Sequence, residues 1–337
     1  MSTRKPNDFK SELKPIWCPG CGDFGVLASL YRSMADLDLD PSQTVIVSGI
    51  GCSSRLPHFA STYGIHTLHG RPLPVAMGVK LANPELTVIA VGGDGDGFAI
   101  GAGHFPHAAR RNVDITYLVM DNEIYGLTKG QYSPTSPEGA VTKSTPMGSV
   151  DHPFNPLALC KGADATFIAR AMDRDPKQLR EVLLKADAHR GTSLIEIYQN
   201  CNVFNDGAFE VFTEKASKPF HTLFVEHGKP LVFANGTKGI KLDGMTPVIV
   251  DITPGGSLPD DLWVHDERDS FKASILVRLF DDPRHEGAMP RPFGVLYIAE
   301  RSTVESRINA QVEQARAKKG AGDLDALLRG ERTWTIG

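Results

Sequence analysis

The sequence Gly92-Gly93-Asp94-Gly95-Asp96-Gly97 is the densest group of residues with chemical potential, and it directly follows an apolar run typical of a buried strand. Glycines allow a backbone to approach a phosphate closely, and the first N–H groups of a following helix attract the same anion. Two aspartates in such a loop would repel a phosphate unless a cation lay between them. Mg²⁺ suits that role because it prefers oxygen ligands and shares them with phosphate groups. The loop therefore predicts a site for a phosphate ligand held through magnesium.

A second source of oxygen ligands is expected at the end of the next predicted strand, where the chain reads Asp121-Asn122-Glu123-Ile124-Tyr125-Gly126. Asn122 follows Asp94 by the length of one helix and one strand, which would bring both to one edge of a parallel sheet. The amide oxygen of Asn122 and a backbone carbonyl near Ile124 would complete the protein's share of the magnesium shell. Spacing and position favour Asp94 over Asp96 as the ligand. The alternative is a helix cap and a turn residue without a metal.

The five cysteines lie at positions 18, 21, 52, 160 and 201. Cys18 and Cys21 form a Cys-x-x-Cys turn, while Cys52 and Cys201 come just past the first and fourth predicted strands. If those two strands are parallel neighbours, both thiols emerge at the carboxyl edge of the sheet. Four thiolates there could hold a tetrahedral ion such as zinc or a 4Fe–4S cluster. A thioredoxin-like dithiol fits poorly because no strand of that type precedes the pair. Cys160 is predicted to be a small buried residue in a helix.

Four short apolar runs are predicted to be strands buried on both faces of a parallel sheet: 44–48, 86–91, 114–120 and 193–198. Helices are predicted between them, with Asp23 and Asp175 as N-caps. This alternation predicts an α/β fold over residues 1–206 with ligands at the carboxyl ends of the strands. Residues 207–337 are predicted to be a C-terminal extension that packs on this domain or on a partner subunit. It includes a polar helix from the capping pattern at 302–305 to Gly320, and a solvent-exposed decoration is the alternative.

The composition excludes several classes of function. The chain of 337 residues has 36 Lys and Arg against 40 Asp and Glu, a formal charge of −4, which gives no basic excess for nucleic acid. The longest apolar window contains Asp94 and Asp96, and the N-terminus has no apolar core of a signal peptide. An odd number of cysteines argues against a disulfide framework. We therefore expect a soluble, cytoplasmic protein without membrane contact.

Several segments together resemble the β subunit of 2-oxoacid:ferredoxin oxidoreductases, and the resemblance covers about residues 15–215. The segments are WCPGCGDFG (17–25), SGIGCSSR (48–55), HTLHGRPLPVAMGVKLANP (66–84), GGDGDG (92–97), RRNVDITYLVMDNEIYGLTKGQ (110–131) and the surroundings of Cys201. The HGRPLP and GLTKGQ sequences are most similar to the 2-oxoglutarate type. The family implies a thiamine diphosphate-binding fold with a mostly parallel sheet.

The resemblance also implies a reaction and its partners. A 2-oxoacid, coenzyme A (CoA) and oxidised ferredoxin would give acyl-CoA, CO₂ and reduced ferredoxin, or the reverse. The 2-oxoacid would be 2-oxoglutarate, with pyruvate or branched 2-oxoacids as alternatives. An α subunit would supply the carboxylate that activates the cofactor's aminopyrimidine, in an αβ or (αβ)₂ assembly. A non-redox thiamine diphosphate decarboxylase and a zinc-stabilised binding module remain competing interpretations, although the first does not need the four cysteines and the second does not need Asp94 and Asn122.

Family roles fall on matching positions of this sequence. One 4Fe–4S cluster would be ligated by Cys18, Cys21, Cys52 and Cys201, and Mg²⁺ by Asp94, Asn122 and the carbonyl of Ile124. Thiamine diphosphate would contact Ile50, Gly51, Cys52, Ser53, His69, Gly70, Gly93, Gly95, Asp96, Gly126, Leu127 and Thr128. Catalytic or substrate contacts would come from Lys129, Leu127, Arg55 and His69. For Arg55 and Lys129, ordinary surface or subunit-contact charges are an alternative.

Overall fold

A computed structural model describes residues 3–279, 289–334 and 336. Its strands are β1 (Thr44–Ser48), β2 (Tyr63–His66), β3 (Thr87–Gly93), β4 (Ile115–Asp121), β5 (Ile124–Tyr125), β6 (Gln131–Tyr132), β7 (Phe167–Met172), β8 (Thr192–Tyr198), β9 (Thr222–Phe224), β10 (Val232–Phe233), β11 (Lys238–Asp243), β12 (Thr246–Asp251) and β13 (Arg291–Ile298). Its helices are α1 (Asp23–Asp36), α2 (Leu56–Phe59), α3 (Pro72–Ala82), α4 (Phe105–Arg111), α5 (Pro156–Gly162), α6 (Pro176–Ala188), α7 (Glu210–Thr213), α8 (Lys218–His221), α9 (Ser270–Leu276), α10 (Val304–Lys319) and α11 (Leu324–Arg329).

The main sheet has eight strands in the order β2-β1-β3-β4-β8-β7-β13-β9. From β2 to β7 every neighbouring pair is parallel, whereas β13 runs antiparallel to β7. The first and fourth predicted strands are parallel but are not neighbours, because β3 and β4 lie between β1 and β8. Their carboxyl ends still share one edge, since all the intervening pairs are parallel. The loops that carry Cys52 and Cys201 therefore leave the sheet on the same side.

Helices cover both faces of the sheet. Alternate strand residues point to opposite faces, so that Ile46 packs with α1 and α6 while Val45 and Val47 pack with α3, α4 and α5. Cys160 of α5 is fully buried in the second of these layers, as the sequence predicted. The strands read as continuous apolar runs because both of their faces are covered.

The predicted helix boundaries hold at α6 and α10 but not at α1. Asp175 caps α6 by accepting the N–H of Gln178, and Thr303 and Gly320 bound α10. At α1 the N-cap is Gly22, and Asp23 is instead the first helical residue with a buried side chain.

The C-terminal extension shares the main sheet with the preceding residues. Both β9 and β13 lie beyond position 206, and β13 pairs with β7 while β9 pairs with β13. The division at 206 remains a prediction, and the structure shows a continuous sheet across it. In α10, by contrast, Ile308 and Val312 are exposed. Among the described residues, none of the helices is both long enough and apolar enough to span a bilayer.

Candidate active site

The end of β3 places Asp94 beside the end of β4. Gly93, the last residue of β3, faces Met120 of β4, so Asp94, just past β3, lies beside Asp121, the last residue of β4. Both side chains are buried, and the hydroxyl oxygen of Thr135 lies 2.7 Å from Oδ2 of Asp94 and 2.8 Å from Oδ1 of Asp121. The two carboxyl groups therefore share a single hydroxyl group.

This pair of carboxyl groups has the chemistry of a cation site. Burial raises the pKa of Asp94, and burial together with repulsion from Asp94 raises the pKa of Asp121 well above its usual range. Both groups are thus costly to ionise in their buried positions without a positive counter-charge. Carboxylate and amide oxygens are the donors that Mg²⁺ prefers. The residues present fit a divalent cation, which would supply that counter-charge.

Asn122 is held by hydrogen bonds from several sides. Its Oδ1 accepts the N–H of Ile124 at 3.2 Å, and its Nδ2 donates to Oε1 of Gln199 at 2.7 Å. Its backbone carbonyl accepts a hydrogen bond from Nδ2 of Asn205 at 2.9 Å. The side chain that the sequence assigned to magnesium is therefore fixed in orientation and not free to rotate.

Asp96 has a different environment from Asp94. Its Oδ1 accepts the N–H groups of Ile50 at 2.9 Å and Gly70 at 2.7 Å, and Nδ1 of His69 lies 2.7 Å away. The side chain is buried at the start of a short π-helix, Asp96–Ile100. Asp96 therefore connects two loops that border the site, whereas Asp94 forms the carboxyl pair with Asp121.

The cysteine loops are brought together by hydrogen bonds across the carboxyl edge of the sheet. Nε1 of Trp17, next to the Cys-x-x-Cys turn, donates to the carbonyl of Cys52 at 2.7 Å. Within the same turn, the carbonyl of Pro19 accepts a hydrogen bond from Nδ2 of Asn202 at 2.6 Å. Because Asn202 follows Cys201 directly, three segments that are far apart in sequence meet at one place.

The thiols and the magnesium candidates line one cavity. Its walls include Cys18, Cys21, Cys52, Cys201, Asp94, Asn122 and Ile124. Gly126 lines this cavity next to two of the thiols, because a Cβ at this position would be in van der Waals contact with Sγ of Cys201, at 3.4 Å, and with Sγ of Cys52, at 3.8 Å. The part of the cavity that the four thiols and Gly126 line is called the hollow below.

Two thiols of this hollow, those of Cys21 and Cys52, have raised pKa values. Burial, with a contribution from the Asp23 carboxylate, raises the pKa of Cys52 to about 11 and that of Cys21 further. Metal coordination removes thiol protons, so bound iron or zinc would hold these cysteines as thiolates despite their raised pKa values. Four thiols around one hollow fit the ligand set of a 4Fe–4S cluster. In the part of the chain that the structure describes, no group of three or more His, Cys, Asp and Glu side chains is arranged to hold a single metal ion.

Comparisons of sequence and structure show which known proteins this chain is similar to. Residues 49–197 match the family described as thiamine pyrophosphate enzyme, C-terminal TPP binding domain. The 2-oxoglutarate oxidoreductase subunit KorB of Mycobacterium tuberculosis is 43% identical over 338 residues, which span 99% of this chain and 89% of that protein. The chain belongs to the β-subunit family of 2-oxoacid:ferredoxin oxidoreductases.

Two further relatives of this β subunit extend the comparison. A β subunit of a 2-oxoacid:ferredoxin oxidoreductase from Aeropyrum pernix is 48% identical over 206 residues, or 61% of this chain and 65% of that protein. The solved 2-oxoglutarate:ferredoxin oxidoreductase from Magnetococcus marinus, with 2-oxoglutarate, CoA and succinyl-CoA bound, is 36% identical with a TM-score of 0.77, covering 99% of this chain and 98% of that one. The predictions of the family, of the thiamine diphosphate-binding α/β fold and of an oxidoreductase subunit are confirmed.

Most residues predicted to contact the cofactor border the cavity of the β subunit. These are Ile50, Gly51, Cys52, Ser53, His69, Gly93, Gly95, Asp96, Gly126, Leu127 and Thr128. Gly70 lies behind them, with its N–H bonded to Asp96. Of the predicted catalytic residues, His69 and Leu127 border the cavity, whereas Arg55 and Lys129 are exposed outside its lining. The roles of all these residues stay predictions.

Sequence reasoning missed three polar residues of the site. Asp121 belongs to the 121–126 motif, but the sequence gave it no role. Thr135 bonds to Asp94 although it lies 41 positions further along the chain. Gln199 lies next to the Cys201 loop and bonds to Asn122. The position of Asp121 at the end of a buried strand, opposite Asp94, was a signal that could have identified it. The sequence around Thr135 gave no such signal, because it contains no metal-binding pattern.

Proposed function

We propose that this β subunit acts with an α subunit in the oxidative decarboxylation of 2-oxoglutarate with CoA, or in the reverse carboxylation. The products would be succinyl-CoA, CO₂ and two electrons, which ferredoxin accepts one at a time. The observation that carries the proposal is that the four thiols and the magnesium candidates line one cavity. The name of the M. tuberculosis relative and the ligands of the M. marinus structure support 2-oxoglutarate as the substrate.

Asp94, Asn122 and the carbonyl of Ile124 are the residues that would hold Mg²⁺. The support is the buried carboxyl pair at the ends of β3 and β4: burial raises the pKa of Asp94, burial and repulsion from Asp94 raise the pKa of Asp121, and a bound cation would favour both ionised forms. Gly93 and Gly95 flank Asp94 at the cavity wall, where a diphosphate can approach the backbone closely.

Cys18, Cys21, Cys52 and Cys201 are the residues that would hold one 4Fe–4S cluster. Their support is the sulfur-lined hollow beside Gly126 and the hydrogen bonds that fix the three loops. When bound, thiamine diphosphate supplies an electron sink for the loss of CO₂, and the cluster supplies one-electron transfer.

The remaining residues of the cavity keep its shape and limit its contact with water. Trp17 is buried, and its ring packs edge-on against Phe24 and Phe59 beside the Cys-x-x-Cys turn. The hydroxyl of Tyr125 donates to the carbonyl of Gly95 at 3.2 Å and so fixes the glycine-rich loop. These aromatic contacts and this hydrogen bond hold the Cys-x-x-Cys turn and the glycine-rich loop in place at the cavity wall.

The substrate pocket would be completed by the α subunit. Leu127 is 45% exposed and His69 is partly exposed at the cavity, which leaves both available to a substrate or to the partner. Arg55 and Lys129 are exposed cations that follow the cavity residues Ser53 and Thr128 closely in sequence. We propose them as contacts for the carboxylates of a 2-oxoacid. An αβ or (αβ)₂ assembly in the cytoplasm is the setting that we propose.

The test is anaerobic purification of the chain with its α subunit. We expect four iron atoms for each β chain, from the 4Fe–4S assignment, and reduction of viologen or ferredoxin that requires 2-oxoglutarate, CoA and thiamine diphosphate. Parallel assays with pyruvate and branched 2-oxoacids decide the substrate. Zinc in place of iron, or CO₂ release without electron transfer, would contradict the redox function and favour a non-redox decarboxylase.

A further inference from the structure

Gln199 connects the two halves of the proposed site. It follows β8 directly, and its side chain is buried, with 1% exposed. Nε2 donates to Sγ of Cys21 at 3.2 Å and to the carbonyl of Asn200 at 2.7 Å. Oε1 accepts from Nδ2 of Asn122 at 2.7 Å. One side chain therefore touches both a cysteine of the hollow and the amide assigned to magnesium.

The orientation of both amides is set by backbone groups at the two ends of this chain of hydrogen bonds. The carbonyl of Asn200 can only accept, so it must face the NH₂ group of Gln199. Oε1 of Gln199 then faces Asn122, which must present its own NH₂ group. At the far end the N–H of Ile124 can only donate, and it meets Oδ1 of Asn122. A flipped Gln199 amide would place its oxygen against the carbonyl of Asn200, and a flipped Asn122 amide would place its NH₂ group against the N–H of Ile124.

We propose that Gln199 is a positioning residue for both cofactors, an inference that rests on the proposed function. Through Oε1 it holds the Asn122 amide so that oxygen, not nitrogen, is available to the magnesium site. Through Nε2 it donates an N–H to the sulfur of Cys21. A hydrogen bond to a ligating sulfur stabilises the reduced, more negative form of a cluster and raises its reduction potential.

Two substitutions separate these roles. Gln199→Met has a similar volume and no charge, and it removes both the donor and the acceptor. Gln199→Glu keeps an oxygen that can accept from Nδ2 of Asn122, but it has no N–H for Cys21. Gln178→Met is the matched control, because Gln178 is also a buried amide that donates to a backbone carbonyl, that of Arg170, away from the site.

The experiment uses the anaerobic αβ complex and two readouts besides turnover. The first is the midpoint potential of the cluster, from a redox titration followed by electron paramagnetic resonance (EPR). The second is the affinity for Mn²⁺ in the presence of thiamine diphosphate. We expect a more negative potential in both Gln199 variants, a loss of Mn²⁺ affinity of roughly tenfold or more in Gln199→Met alone, and wild-type values in Gln178→Met.

The outcomes distinguish this inference from the proposed function. A wild-type complex without a cluster would refute the proposed function itself. A wild-type complex with a cluster, and an unchanged potential in the Gln199 variants, would overturn only the role toward Cys21. Equal loss of Mn²⁺ affinity in Gln199→Met and Gln199→Glu would overturn the role toward Asn122. If Gln199→Met fails to fold, Gln199→Leu, which also lacks the donor and the acceptor and adds no charge, replaces it in both measurements.

Discussion

Asp94 and Asp121 lie side by side at the ends of neighbouring parallel strands and share the hydroxyl of Thr135, at 2.7 and 2.8 Å. A hydroxyl has one proton, so it can donate to only one carboxylate at a time. Two buried carboxyl groups in this arrangement are unfavourable when both are ionised, and a divalent cation would relieve their repulsion. The arrangement therefore explains why a glycine-rich loop meant for a diphosphate carries acidic residues.

Replacing Asp94 is expected to remove cofactor binding that depends on Mg²⁺. In Asp94→Ala, we expect the affinity for thiamine diphosphate at fixed Mg²⁺ to fall by at least about tenfold, since even residues behind a metal ligand have effects of that size. Calorimetric titration of the αβ complex measures it. Asp151→Ala, which removes an exposed carboxylate bonded to Tyr132, is the control. Unchanged affinity would move the metal role to Asp96 or Asp121.

Asp96 is expected to matter for stability as well as for the site. Asp96→Ala removes an acceptor shared by the N–H groups of Ile50 and Gly70 and by His69. Because hydrogen bonds to a buried charge contribute strongly, we expect the free energy of unfolding to fall by about 3 kcal/mol. Urea denaturation of the wild type and variant measures the difference. A change below about 0.5 kcal/mol, the size of ordinary surface substitutions, would show that these loops do not depend on Asp96.

The cysteines are expected to divide into ligands and a core residue. Cys201→Ser should lose most of the bound iron, because a hydroxyl is a poor substitute for a thiolate ligand. Cys160→Ser should keep it, since Cys160 is fully buried in the helix layer. Iron analysis and EPR of the anaerobically purified variants measure this. A complete cluster in Cys201→Ser would remove that residue from the ligand set.

Gly126 is expected to be required for the cluster and not for folding. A Cβ at this position would lie within 3.8 Å of two thiols that we propose as cluster ligands, so a methyl group here would crowd a cluster bound to them. Gly126→Ala should therefore fold with a reduced iron content. Gly78→Ala is the matched control, because a Cβ at Gly78 in α3 meets nothing within 4 Å. Equal iron in both variants would mean that the hollow is not where the cluster binds.

Local patterns in the sequence predicted the strands and motifs that carry the site. Each of the apolar runs before Cys52, Asp94, Asn122 and Cys201 forms a parallel strand in the structure. These strands could be predicted because a strand buried on both faces has a continuous run of apolar residues. The glycine loop and the Cys-x-x-Cys turn were equally visible, because each chemistry needs several residue types within a few positions. The family resemblance then gave these positions their roles.

Long-range pairing limited the rest of the prediction. The edge strand β2 is exposed along its length and has no apolar run to reveal it. In β7, Arg170 interrupts the apolar pattern, and its burial depends on an ion pair with Glu196 of β8. The addition of β13 to the main sheet, more than 100 residues after β7, involves pairing that no local pattern specifies. The order of the strands in the sheet and the contacts of Thr135 and Gln199 likewise depend on tertiary structure, so no local pattern predicts them.

The claim that one cavity holds both the metal-bound cofactor and the cluster is tested most directly by magnetic coupling. The αβ complex would be loaded with thiamine diphosphate and Mn²⁺, and the Mn²⁺ EPR signal recorded with the cluster oxidised and then reduced. We predict that reduction broadens the Mn²⁺ signal and speeds its relaxation, because two paramagnets in one cavity interact. A Mn²⁺ signal that is identical in both states, in a complex shown to contain reduced cluster, would contradict the account.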